Sequence, residues 1–194
     1  LYLMNGERFS GKATTLTKIA VGFQRSAHII SLEMNDTLFY RKLQDLNTSP
    51  TTSLTLDFDS YEITSIEKSI RTVAKGGTKL FIIDSLMKIR HDELKTGSRM
   101  EQLNDIASRL YRLKNTLDIS IILIVQSKKD SEGILSTKGA GDVDYEADII
   151  LQMETTDDLQ RSIRCTKNRA SNIMRTAELS ITSNSESKKE SEWQ

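Results

Sequence analysis

The chain has 194 residues, 27 of them Lys or Arg and 27 Asp or Glu, so its formal net charge is zero. That length fits one domain with a substantial core, and the balanced charge means that any nucleic-acid contact must come from a local patch. The single cysteine, Cys165, excludes an internal disulfide and a Cys-rich zinc site, and the two distant histidines, His28 and His91, argue against a histidine metal cage.

No apolar run is long enough to span a membrane and no signal peptide is recognisable, so a cytoplasmic location is expected. Leu1 already sits in a strand-like run without an initiator methionine, as expected of a domain from a longer protein. Leu1-Tyr2-Leu3-Met4 reads as a short buried strand that enters a glycine-rich loop. Lys12 to Gln24 has helical period, with Leu16, Ile19, Ala20 and Phe23 on one face. His28 to Leu32 is a second strand, and Asn35 is suited to cap a helix from about Asp36 to Leu46. Pro50, the only proline, lies in a Thr/Ser-rich connection, and Ser53 to Phe58 is a candidate strand.

Ile63 to Ala74 is helical, with Ile66, Ile70, Val73 and Ala74 turned inward and Gly76-Gly77 ending it. Lys79 to Asp84 is a continuous apolar strand closed by one carboxylate. After the charged segment Lys88 to Ser98, residues Leu103, Ile106, Ala107, Leu110, Leu113 and Leu117 form the strongest helical stripe of the chain. Ile119 to Val125 is another buried strand, and Ser127 to Glu146 reads as a polar loop containing Gly133, Gly139 and Gly141. Ala147 to Met153, Arg161 to Thr166 and Ala177 to Thr182 are later strands, and residues 183–194 are a Ser/Glu/Lys-rich tail expected to be mobile. Strands alternating with helices predict an α/β domain over residues 1–182. It should have a mainly parallel sheet, right-handed crossovers, helices on both faces and antiparallel strands at the C-terminal edge.

Gly6-Glu7-Arg8-Phe9-Ser10-Gly11-Lys12-Ala13-Thr14 follows a strand and opens a helix, which is the context a phosphate-binding Walker A loop requires. Gly6, Ser10, Gly11, Lys12, Ala13 and Thr14 are the candidate nucleotide contacts. Backbone N–H groups and the helix N-terminus would surround the phosphates, and Lys12 would reach the β- and γ-phosphates. The pattern asks for Ser or Thr after the lysine, where a hydroxyl helps hold Mg²⁺; this chain has Ala13. Thr14 is offset by about 100° on a helix and does not simply substitute for that hydroxyl.

Asp84 ends its strand where open α/β sheets bind ligands, and it is the candidate Mg²⁺ carboxylate, with a strand-end cap as the alternative. Glu33 follows the second strand at the same edge and is placed to deprotonate a water; a helix-start role competes. Gln126 follows another strand end, where its amide could bond a γ-phosphate or simply satisfy that end. Lys167 and Arg169, spaced by one residue, point the same way on an extended chain, toward nucleotide phosphates of this or a neighbouring chain, or only into solvent.

The order of these residues, and the words around them, resemble the C-terminal motor domain of the DnaB-like replicative helicases, within the RecA-type ATPases. Ser31-Leu32-Glu33-Met34, Phe81-Ile82-Ile83-Asp84-Ser85-Leu86, Ile124-Val125-Gln126-Ser127 and Cys165-Thr166-Lys167-Asn168-Arg169 are similar to successive motifs of that family. Lys138-Gly139-Ala140-Gly141-Asp142-Val143-Asp144-Tyr145-Glu146-Ala147-Asp148 is similar to its second DNA-loop segment. The likeness spans residues 1–182.

It implies a RecA-like P-loop fold that hydrolyses ATP with Mg²⁺, Glu33 as base, Asp84 on the metal and Gln126 as a phosphate sensor. It implies Lys167 and Arg169 acting in an adjacent subunit's site, hence a homo-oligomer, normally a hexameric ring. Single-stranded DNA would be tracked by Lys128, Lys129, Lys138, Gly139 and Gly141, with a solvated loop as the alternative for these positions. A primase or a helicase loader is the implied partner class. Ala13 departs from the family pattern and weighs against turnover. The alternative is an ATP-binding, weakly hydrolysing subunit with a structural or regulatory role in a nucleic-acid machine. A recombinase- or clock-like RecA-type protein fits the Ser-Leu-Glu-Met and Lys-x-Arg segments less well.

Overall fold

A computed structural model of the protein describes residues 1–6, 11–23, 26–45, 54–126, 128–129, 135–136, 143–155, 161–171 and 175–179. Its elements run β1 (Tyr2–Gly6), α1 (Lys12–Gly22), β2 (Ala27–Ser31), α2 (Asp36–Asp45), β3 (Leu54–Asp57), α3 (Ile63–Lys75) and β4 (Leu80–Asp84). A 3-10 turn at Leu86–Lys88 precedes α4 (Arg99–Leu117), β5 (Ser120–Gln126), β6 (Lys128–Lys129), β7 (Leu135–Ser136) and α5 (Val143–Glu146). The chain continues through β8 (Ile149–Thr155), β9 (Arg161–Asn168) and β10 (Thr176–Leu179).

Eight strands form one sheet in the order β10-β9-β8-β1-β5-β4-β2-β3. From β8 to β3 every pairing is parallel, and β9 and β10 add antiparallel at the edge. This is the architecture expected from the alternating strands and helices.

Side chains alternate across each strand, so each one feeds two cores. Leu3, Ile30, Phe81, Ile83, Leu123 and Val125 face Ile63, Ile66 and Ile70 of α3 and the stripe of α4 from Leu103 to Leu113. Met4, Ile29, Ile82, Ile122 and Ile124 face Leu16, Ala20 and Val21 of α1 and Phe39 and Leu43 of α2. A sheet covered on both faces explains why β4 and β5 read as unbroken apolar runs rather than alternating ones.

Local signals set the helix ends. Asn35 Oδ1 accepts from Leu38 N at 3.0 Å and caps α2. Ser98 and Glu101 form a capping box that starts α4 well before its first core residue. Gly77, at φ 93°, takes the chain out of α3 in a conformation that favours glycine.

The expected face of α1 is corrected at Ile19, which is 37% exposed, whereas Thr17 and Val21 point inward. Thr17 tolerates burial because its hydroxyl donates to the Ala13 carbonyl at 2.7 Å. The polar loop expected from Ser127 to Glu146 instead carries an antiparallel β6–β7 pair and the single-turn helix α5. Among the described residues, no helix is long and apolar enough to cross a membrane. The tail expected over 183–194 lies outside the described residues.

Candidate nucleotide-binding site

Register brings the site together. In the parallel sheet Gly6 pairs with Gln126, Ser31 pairs with Asp84, and Ile83 pairs with Leu123. The carboxyl ends of β1, β2, β4 and β5 therefore open on one edge, where ligands bind in open α/β sheets. Helix α1 begins at that edge from Gly11, whose φ of 86° is left-handed and favours glycine. Gly11, the N-cap, brings no side-chain hydrogen bond to the first-turn amides.

The result is a cleft of about 850 Å³, lined by Gly11, Lys12, Ala13 and Thr14 from α1, by Glu33 and Met34 after β2, and by Asp84 and Gln126. Lys42 of α2 and Met87 and Lys88 of the 3-10 turn complete its wall. Lys12 is only 8% exposed, and its Nζ donates to the Gly6 carbonyl at 2.7 Å, which closes the loop's two ends on each other.

Asp84 is 6% exposed. Burial and then the neighbouring Glu33 charge push its carboxyl up to about 6, against the pull of Lys42 and Lys12. Glu33 lies at the exposed rim, and its Oε1 accepts from Ser85 Oγ at 2.7 Å and from Gln126 Nε2 at 2.7 Å. The Glu33 carboxylate is thus close enough to disfavour the charge on the buried Asp84. Added positive charge at this point relieves that repulsion, and hard oxygen donors suit Mg²⁺. The first-turn amides of α1 and buried Lys12 suit the phosphates of a nucleotide. The residues present therefore fit Mg²⁺ and a nucleoside triphosphate. Ala13 offers no side-chain oxygen, while the hydroxyl-bearing Thr14 lines the same cleft.

Of the residues expected from sequence, Gly11, Lys12, Ala13, Thr14, Glu33, Asp84 and Gln126 line this cleft, and Gly6 reaches it through the carbonyl that holds Lys12. Lys167 and Arg169 do not. Asn168 pairs with Ile149, which pairs with Tyr2, so both basic residues sit at the opposite edge of the sheet from Gly6. Four residues of strand, about 13 Å, separate the two edges.

At that opposite edge Lys167 Nζ donates to the Asp144 carbonyl at 2.5 Å, and the Arg169 guanidinium donates to the Tyr145 carbonyl and lies 3.9 Å from Asp148. Burial, and then the Arg169 charge, lower the Lys167 ammonium pKa. Lys128 and Lys129 form β6, whereas Ser10, Lys138, Gly139 and Gly141 lie outside the described residues.

Sequence reasoning missed Ser85 and Lys42. Ser85 directly follows the strand-ending carboxylate, and Lys42 lies on the helix after Glu33, so only the three-dimensional packing marks either as part of the site.

No protein-family model matches the chain, and no curated protein matches it. The fold is similar to that of a DnaB-like replicative helicase whose structure was described with its interactions with primase, at a TM-score of 0.77 and 15% sequence identity. The match covers 94% of this chain and 55% of that one, so this chain spans about half the length of the helicase chain. The protein therefore has the RecA-like α/β fold found in a DnaB-like helicase.

Proposed function

We propose that this chain is the ATP-hydrolysing motor domain of a DnaB-like replicative helicase, coupling hydrolysis to movement on single-stranded DNA within a hexameric ring. The observation that carries this reading is the placement of Glu33. Its carboxylate is held by Ser85 and Gln126 at the rim of a cleft that also contains the start of α1 and the buried Asp84.

In this reading Lys12 and the first-turn amides of α1 bind and orient the phosphates. Asp84 would hold Mg²⁺, whose charge would offset that of the phosphates. Glu33 takes a proton from the attacking water as the water oxygen bonds to the γ-phosphorus and the bridging oxygen leaves with ADP. Gln126, bonded to the base and facing the cleft, can report the γ-phosphate to the segment that follows β5. Lys167 and Arg169 serve a neighbouring subunit, which agrees with their place at the edge away from their own cleft. Lys128, Lys129, Lys138, Gly139 and Gly141 supply the DNA-facing segment, and a primase or loader is the expected partner class.

Ala13 favours a second reading, in which the domain binds ATP and hydrolyses it weakly or not at all, in a structural or regulatory role. Equilibrium ATP binding and steady-state hydrolysis of wild type and Ala13→Thr separate the two. The motor reading expects turnover in wild type and tighter Mg²⁺ dependence in the variant. Binding without turnover in either protein supports the second reading.

A further inference from the structure

Glu33 Oε1 accepts two hydrogen bonds of equal length but different setting. Ser85 Oγ donates at 2.7 Å from a residue with 0% exposure. Gln126 Nε2 donates at 2.7 Å from the rim of the cleft. Glu33 Oε2 has no hydrogen-bond partner among the described residues.

The two donors are not equivalent physically. Ser85 is held by the end of β4 on one side and by the 3-10 turn on the other, where its carbonyl accepts from Lys88 N at 3.0 Å. A buried hydroxyl that gave up Glu33 would have no water to replace it. Gln126 faces solvent, and its amide can exchange the carboxylate for water or for a phosphate oxygen.

We infer that Ser85 is the fixed positioning residue of the base and Gln126 the exchangeable one. The inference rests on the motor reading for its chemistry but not for its geometry. Ser85 keeps Oε1 occupied when Gln126 turns to the γ-phosphate, so Oε2 stays the oxygen that accepts the water proton. A base that lost this anchor would swing at the rim, and misplacement by about 1 Å can cost about 100-fold in rate.

The test compares Ser85→Ala and Gln126→Ala with wild type in protein carrying ¹³C-labelled glutamate side chains. The Glu33 carboxyl signal is assigned by its loss in Glu33→Gln. Without nucleotide, both variants should shift that signal. With a non-hydrolysable ATP analogue and Mg²⁺, Gln126→Ala should match wild type while Ser85→Ala still differs. In steady-state hydrolysis Ser85→Ala should lower kcat about 10- to 100-fold with KM within about twofold. An unmoved Glu33 signal in Ser85→Ala overturns the inference, as does an unchanged kcat in a wild type that turns over. If wild type does not hydrolyse ATP, the motor reading fails, and the carboxyl signal still decides the role of Ser85.

Discussion

Asp84→Asn should make the nucleotide-free protein more stable at pH 7. The carboxyl titrates at about 6 in the fold against a usual value of 3.8, because it is buried beside Glu33. That difference of about two pKa units corresponds to roughly 3 kcal/mol against the charged form. The folded-state pKa is raised, so the cost is absent below about pH 4, grows between about 4 and 6, and is complete above 6. Asparagine removes the charge but brings an amide that must be desolvated, at about 1–2 kcal/mol. The net gain at pH 7 is about 1–2 kcal/mol, and it should vanish or reverse by pH 4. Urea unfolding at pH 7 and pH 4 measures it directly. With Mg²⁺ and ATP present the order should invert, because only wild type gains the linked stabilisation of a metal-bound site. A variant no more stable than wild type at pH 7, or a gain independent of pH, would refute this picture of a charge strained by burial.

Other substitutions probe separate parts of the account. Lys42→Met should raise the Asp84 midpoint above about 6, and by more than Lys12→Met does, because Lys42 exerts the larger pull; ¹³C titration of the Asp84 carboxyl checks both. Gly11→Ala forces a side chain into φ 86° and should cost about 1–2 kcal/mol in urea unfolding while weakening ATP binding. Arg109→Leu strips the 2.8 Å and 2.9 Å ion pairs to Glu67 and Glu93 that join α4 to α3 and to the segment before it. The half-buried Glu67 is left unpaired, and a loss of about 2–3 kcal/mol should appear as a lower urea midpoint with ATP binding intact.

The sheet was legible because strands buried on both faces must be apolar throughout, and β4 and β5 are. Helix α4 was legible from its stripe, although its start was not: Ser98 and Glu101 have capping-box spacing, but the core residues begin only at Leu103. Helix α1 misled because Leu16, Ile19, Ala20 and Phe23 have suitable spacing. Only Ile19 departs from that face: Leu16 and Ala20 enter the second core, Phe23 packs against it and Val21 joins it, while the buried Thr17 has its hydroxyl satisfied within its own helix. Helix α5 was hidden in a glycine-containing polar stretch, and its core contact among the described residues is Val143, with Ala147 just after it.

For the site, strand-end positions predicted the edge to which Glu33, Asp84 and Gln126 converge, since parallel strands must end together. The hydrogen bonds joining them were not legible, because Ser85 and Gln126 are brought to Glu33 by the packing of three strands distant in sequence. The separation of Lys167 and Arg169 from the cleft follows from the antiparallel return of β9, which carries the chain back to the opposite edge.

Steady-state ATP hydrolysis with and without single-stranded DNA, in wild type and Glu33→Gln, tests the motor reading most directly. The account predicts Mg²⁺-dependent turnover in wild type that DNA stimulates, and its loss by at least about 100-fold in Glu33→Gln with ATP still bound. ATP binding without DNA-stimulated turnover in wild type, or equal turnover in both proteins, would contradict it.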